Sequence, residues 1–305
     1  MGKVGVKQVN LSILDTLNLL PEAQDKLQEL AQNPLDFSLA PTSDQQELIT
    51  RTGNAEAVLV SPWSKLTTTY FEACPSVRYV GIGGTSTANI DLKAAKKHGV
   101  TVTNVVGHGD EPAAEFAFMQ LLMLSRGVGK YRWKDAPVEL MGKSLGVIGL
   151  GNLGKTVAHL ALAFKMETRY YSQRRKPEWE AKGAQFADLD DLLKQSDVVV
   201  ICSPTNLKVM NKKQFATMKP SSVLIQLSVG DVLDFNAFRD WIVKDSNYAL
   251  FNKAAGEEYY QAFKDLPRVV FADVVAGFTK ETKERLGEGV INNLNELMLA
   301  KGGVK

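Results

Sequence analysis

Long apolar runs, an excess of charge and a cysteine framework are all missing from this 305-residue sequence. No stretch approaches the ~18 uninterrupted apolar residues of a membrane span, so no membrane partner is expected. Basic and acidic side chains number 36 and 34. The resulting net charge of +2 sets up no field that would gather nucleic acid or an anionic surface, and no nucleic-acid partner is expected. The two cysteines, Cys74 and Cys202, lie inside the apolar runs YFEACPSV and VVVICSP. They cannot build a disulfide framework and lack metal-ligand spacing, so no metal is expected. Histidine occurs three times, as His98, His108 and His159, and no arginine stands between Arg175 and Arg239. The opening MGKVGVKQVN has no apolar signal core, and Val6 stands where an acylation signal needs Ser or Thr. A cytoplasmic chain is the expectation.

What remains is an ordinary globular composition, 45% apolar and 23% charged, at about twice the usual domain length of ~100–150 residues. Through about residue 104, β-branched runs (VLVS, RYVGI, TVTNV) alternate with amphipathic ones (EAQDKLQELAQ, TTTYFEAC, DLKAAKKHG), the pattern of βαβ units and a parallel sheet. The segment EPAAEFAFMQLLMLSR at 111–126 predicts a helix long enough to bridge two lobes. From Ser144 a second series begins: LGVIGL, TRYYS, AQF, DVVVIC, SVLIQLS, YALF and RVVFA read as strands with helices between them. Right-handed crossovers make this a second doubly wound sheet. A last periodic segment, ETKERLGEGVINNLNELMLAKGG, predicts a helix that must pack on something already built.

Gly149-Leu150-Gly151-Asn152-Leu153-Gly154 follows the strand LGVI and opens the helix KTVAHLALAF. Glycine first makes a tight turn, glycine second admits a diphosphate to the backbone, and glycine third lets helix and strand pack, so a dinucleotide site is predicted here. An NAD site places Asp or Glu about 20 residues on. Here the second strand ends in Ser172-Gln173-Arg174-Arg175-Lys176. A hydroxyl and a basic cluster suit a 2′-phosphate, which favours NADP with NAD the alternative, Arg174 first and Arg175 or Lys176 behind it. A solvated turn is the competing reading.

The blocks GGTSTANIDLKAAKKHGVTVTNV, DEPAAEFAFMQLLMLSR, GKSLGVIGLGNLGKTVAHLALAFKM and KPSSVLIQLSVGDVLDFNAF, in this order, resemble the D-isomer-specific 2-hydroxyacid dehydrogenase family over nearly the whole chain. The resemblance implies an α/β fold of two doubly wound parallel-sheet lobes: a flavodoxin-like substrate lobe, 1–104 plus 280–305, and an NAD(P)-binding Rossmann lobe, 105–279. It also implies a homodimer, a small-molecule substrate, and hydride transfer to a 2-keto acid or a related carbonyl. Ser203 and Pro204, after DVVVIC, join the cofactor set. Ser61 and Trp63, after AVLV, with Gly83 and Gly84, resemble substrate-lining positions.

The family's chemistry uses an arginine on the substrate carboxylate, a histidine that exchanges the alkoxide proton, and a glutamate that tunes it. The arginine segment here reads Ile225-Gln226-Leu227-Ser228-Val229-Gly230-Asp231, with Val229 at the arginine position. The histidine segment reads Ala272-Asp273-Val274-Val275-Ala276-Gly277, with Val274 at the histidine position. The glutamate segment is too diverged to align, and Glu257 or Glu258 falls nearby. Candidate replacements are His108 as proton donor, Lys253 as cation, and Asp273 as an acid if burial raises its pKa. His159 reads as a helix-face residue and His98 as a residue of a helix carboxyl end. The expectation is an NADP(H)-binding oxidoreductase with a rebuilt, more apolar active site. The alternative is a relative without turnover that senses nucleotide or binds a partner.

Overall fold

The computed structural model describes residues 8–244 and 246–300. It divides into two compact units. One holds the segment ending at His108 and the segment that begins at Thr279; the other is Gly109–Phe278. Each long helix therefore belongs whole to one unit. The helix Asp110–Arg126 lies whole in the second unit, and the helix Lys280–Ala300 lies in the first.

In the first unit β1 (Leu11–Ile13), β2 (Ala57–Val60), β3 (Tyr79–Ile82) and β4 (Thr101–Asn104) pair in parallel in the order β1-β2-β3-β4. A parallel bridge between Val9 and Ala31 lies on the free side of β1, which gives the flavodoxin-like order 2-1-3-4-5 when that position is counted. Period-two side-chain alternation splits β2 between two cores: Ala57 and Leu59 pack on one face, Val58 and Val60 on the other. Leu286, Val290, Leu294 and Met298 recur every four residues and cover the Leu59 face, which is where the last periodic segment finds its packing. β1 gave no sequence signal because three residues are too few to show alternation.

The second unit carries β5 (Ser144–Ile148), β6 (Glu167–Tyr171), β7 (Gln185–Phe186), β8 (Val198–Ile201), β9 (Val223–Gln226), β10 (Tyr248–Asn252) and β11 (Val269–Ala272). All pair in parallel in the order β11-β10-β9-β8-β5-β6-β7, the Rossmann sequence of strands. Its continuous apolar runs are buried on both faces: Val198 and Val200 face the core with the helix Asp110–Arg126, Val199 and Ile201 the core with Phe238 and Trp241. The chain leaves β5 for β6 on one side and later returns to β8 on the other, so the topological switch point lies between β5 and β8. Ligands of such sheets bind outside the carboxyl ends at that point. No described helix is long and apolar enough to cross a membrane.

Candidate active site

At the switch point Gly149 adopts φ +99°, and a Cβ there would stand 2.6 Å from the Cys202 carbonyl oxygen. Only glycine makes this turn. A Cβ on Gly154 would stand 2.0 Å from the Gly149 carbonyl oxygen, so the helix packs directly on the loop. Gly151 is different: its Cβ would meet nothing within 4 Å. It caps the helix Asn152–Ala163, where no side chain caps the amide groups and no acid occupies the first turn. Amides beside open space, with no acid in the helix's own first turn, fit a diphosphate. Asn152 is exposed, Leu153 half-buried, and His159 lies exposed on the same helix.

Beyond β6, the Ser172 hydroxyl donates to the Arg174 carbonyl at 2.5 Å, and Gln173, Arg174 and Arg175 are exposed. The basic cluster is not uniform. Arg175 is held by Glu180 and lies 5.8 Å over the Phe186 ring, so the expectation that it is open to a phosphate needs correction. The hydrogen bonds that Arg175 donates to Glu180 raise its own pKa further and hold the Glu180 carboxyl below its ordinary range. Arg174 has no ion pair among the described residues.

After β8 and β9 the chain is pinned by buried polar side chains. The Ser228 hydroxyl donates to the Ser203 carbonyl at 2.8 Å, with the Ser203 hydroxyl 3.3 Å away, while Pro204 is exposed. Buried Gln226 donates through Nε2 to the Ser228 and Gly230 carbonyls at 3.4 and 3.2 Å. The Tyr259 hydroxyl accepts the Val232 and Leu233 amides at 2.9 and 3.2 Å, and burial pushes its pKa up to about 12. On this braced loop Val229 is 43% exposed, and after β11 Val274 is 50% exposed. Two apolar side chains thus face outward where the resemblance places an arginine and a histidine. Asn252, 2% exposed, ties these segments together: Nδ2 donates to the Gln226 carbonyl, and Oδ1 accepts the Ala254 and Ala276 amides.

Lys253 and Asp273 come together as an ion pair at 3.0 Å, and the Lys253 amide donates to the Val274 carbonyl at 2.9 Å. The hydrogen bond to Asp273 lifts the Lys253 pKa, keeping the ammonium charged. The acid role imagined for Asp273 required burial, and its side chain is 90% exposed. Glu257 lines the same hollow with Tyr260 and Phe271 and accepts from Gln261 at 2.6 Å.

In the first unit the Ser61 amide and hydroxyl donate to Asp15 at 2.6 and 2.9 Å, and Trp63 stands 59% exposed on the same loop. Gly84 lies under this loop, since a Cβ there would stand 2.3 Å from Pro62 Cγ; Gly83 donates its amide to the Val60 carbonyl at 2.9 Å. His108 is half-buried, with Nδ1 2.9 Å from the Val105 carbonyl oxygen. A carbonyl only accepts, so Nδ1 carries the proton. Arg285 Nε donates to the His108 carbonyl at 2.9 Å. His98 closes the helix Leu92–Lys97 ahead of Gly99, as its sequence position suggested.

The family described as D-isomer specific 2-hydroxyacid dehydrogenase, NAD binding domain, matches residues 117–255. Over 285 residues the chain is 30% identical to a glyoxylate reductase of Thermococcus litoralis, with 84% of each chain covered. A hydroxypyruvate reductase of Blautia hydrogenotrophica is 27% identical over 278 residues, covering 84% of this chain and 86% of that one. Two solved structures share the fold. An acyclic imino acid reductase in complex with NADPH and D-Arg superposes with TM-score 0.81 at 23% identity, covering 95% of this chain and 97% of that one. A D-lactate dehydrogenase from Aquifex aeolicus complexed with NAD and lactic acid gives 0.80 at 22%, covering 95% of both. The chain belongs to the D-isomer specific 2-hydroxyacid dehydrogenase family. It stands among the oxidoreductases that use a nicotinamide cofactor.

Sequence reasoning missed the buried braces: Asp15, Gln226, Asn252 and Tyr259. For Asp15 and Asn252 a signal was available, a carboxylate or amide standing at the end of an apolar strand run (SILD and YALFN), where burial forces it to find partners. Tyr259 had none, because its partners Val232 and Leu233 lie 27 and 26 positions away.

Proposed function

We propose that this protein is an NADP(H)-dependent reductase whose substrate is an activated carbonyl or, better, a protonated imine, taken by a rebuilt active site. When bound, the reduced cofactor supplies a hydride. Gly149, Gly151, Asn152, Leu153 and Gly154 hold its diphosphate, Ser203 and Pro204 lie alongside, and Ser172, Gln173 and Arg174 take the 2′-phosphate. Arg175, engaged by Glu180, shapes that turn.

The observation that carries the substrate reading is the outward exposure of Val229 and Val274. A keto acid needs a cation for its carboxylate and a donor for the alkoxide proton, and the two valines offer neither. An iminium already carries its proton and becomes a neutral amine on accepting a hydride, so no donor is required. An arginine beside it would repel it. Lys253 stays charged, but its ion pair with Asp273 offsets that charge, so it repels an iminium less than a free arginine would. For carbonyl substrates Lys253 is the proposed cation and His108 the proposed donor, with Ser61, Trp63, Gly83 and Gly84 lining the substrate. The alternative without turnover is not favoured, since the relatives named above are reductases.

A cytoplasmic homodimer completes the reading. Met119, Met123, Val128 and Met141 are 40–59% exposed on the second unit. That apolar area suits a second copy of the chain.

The test is NADPH oxidation by the purified protein against glyoxylate, hydroxypyruvate, other 2-keto acids and cyclic and acyclic imines, with NADH in parallel. Imine turnover with NADPH preferred is the expected outcome. Fast glyoxylate or pyruvate reduction without imine turnover would sink the rebuilt-site reading, and equal use of NADH the 2′-phosphate assignment.

A further inference from the structure

Asp15 stands just beyond β1 and is completely buried. A carboxylate out of water is costly unless its oxygens are satisfied, and among the described residues no cation pairs with this one. Three donors satisfy it instead: the Ser61 amide on Oδ1, and the Ser61 and Ser64 hydroxyls on Oδ2. All three come from the Ser61–Ser64 loop that presents Trp63. The two hydroxyls then accept in turn, Ser61 Oγ from the Trp63 amide at 3.2 Å and Ser64 Oγ from the Thr42 amide at 3.0 Å. On the loop's other side Asn89 Nδ2 donates to the Ser61 and Ser64 carbonyls at 3.0 and 2.7 Å. The loop is thus gripped at both serines, hydroxyls by Asp15 and carbonyls by Asn89, while the tryptophan between them stays exposed.

We propose that Asp15 is a positioning residue that, with Asn89, sets Trp63 as a fixed apolar platform for the substrate's side chain. The Trp63 amide reaches Asp15 through one hydroxyl, so the carboxylate governs the backbone from which the indole projects. An asparagine at 15 keeps the shape but turns an amide donor toward hydroxyls whose protons then lose their acceptor, which loosens the loop without opening a cavity. The substrate half of this proposal rests on the reading above that the loop faces substrate; the positioning half does not.

Two measurements test the halves separately. Tryptophan fluorescence reads the loop directly, because Trp133, Trp179 and Trp241 are 2, 7 and 6% exposed against 59% for Trp63, and a Trp63→Phe variant identifies the Trp63 component. Asp15→Asn is expected to raise acrylamide quenching of that component about 1.5-fold or more and to lower its anisotropy, and Ser64→Ala, which removes one bond, to do so by less. Unchanged quenching and anisotropy in both variants overturn the proposal. With any substrate that turns over, Asp15→Asn is expected to raise KM about 3- to 10-fold with kcat within about twofold, and to raise it less than about 1.5-fold in the Trp63→Phe background. A KM effect that persists in full without Trp63 overturns the substrate half. If no substrate turns over, the proposed function fails while the fluorescence still decides the positioning.

Discussion

The guanidinium of Arg175 lies fork to fork on the carboxylate of Glu180, Nε to Oε1 at 2.7 Å and Nη2 to Oε2 at 2.5 Å. Glu180 also accepts from the Tyr170 hydroxyl at 3.0 Å, and that hydroxyl accepts the Lys176 amide at 2.7 Å. One carboxylate thereby shapes the whole turn after β6 and separates two adjacent arginines. Arg174→Ala should lower NADPH affinity about 10- to 100-fold, the ~1.5–3 kcal/mol of a charge-assisted bond, and leave NADH affinity unchanged. Arg175→Ala should weaken both cofactors by a similar, smaller factor, because what it loses is the turn. Isothermal titration with each cofactor checks this.

Gly151 and Gly154 should separate binding from folding. Gly151→Ala adds a methyl into open space, so stability should fall by no more than about 1 kcal/mol, the cost of a poorer helix cap. Its methyl occupies the room a diphosphate needs, and NADPH affinity should drop at least about tenfold. Gly154→Ala forces a Cβ to 2.0 Å from the Gly149 carbonyl oxygen and should cost about 1–3 kcal/mol of stability. Denaturant titrations beside cofactor titrations distinguish the two.

Asp197, between the helix Leu189–Gln195 and β8, accepts the Ser144 amide at 2.9 Å and the Lys219 ammonium at 3.0 Å. Burial pushes its carboxyl up, but the bonds from Ser144 and Lys219 together outweigh burial and hold it below the ordinary carboxylate range. A depressed carboxylate stabilises the fold above the unfolded-state pKa and ceases to do so as pH falls through the folded-state value. Asp197→Asn should therefore be about 1.5–3 kcal/mol less stable from neutral pH down to about 5, with the gap closing below about 4. A constant gap at every pH, in urea denaturation, would contradict the assignment.

Val229→Arg with Val274→His places a cation and a proton donor at the two positions where the resemblance puts them. Reduction of glyoxylate by NADPH should rise by roughly 10²- to 10⁴-fold, and imine reduction should fall as the new charge repels an iminium. Steady-state rates on both substrates measure it. No gain on glyoxylate would show that the register placing these two valines is wrong.

Some of this was legible along the chain because it depends on neighbours in sequence. The β-branched apolar runs of β2 and β8, the glycine turn after β5 and the periodic apolar spacing of the last helix depend on residues close together in sequence, which a linear reading samples directly. The absence of arginine and histidine from 225–231 and 272–277 was likewise readable from residue identity, and so was the basic run after β6. Which member of that run is open was not: Arg175 meets Glu180 only because the turn folds Pro177–Glu180 back over it. Lys253 and Asp273 read as two independent candidates until the parallel pairing of β10 with β11, Asn252 opposite Ala272, set their side chains 3.0 Å apart. Asp15 carried no visible role until the pairing of β1 with β2 delivered Ser61 and Ser64, 46 and 49 positions away, onto its oxygens. Periodicity decides which face a residue takes. Strand register decides what it meets there, and only the folded chain contains that information.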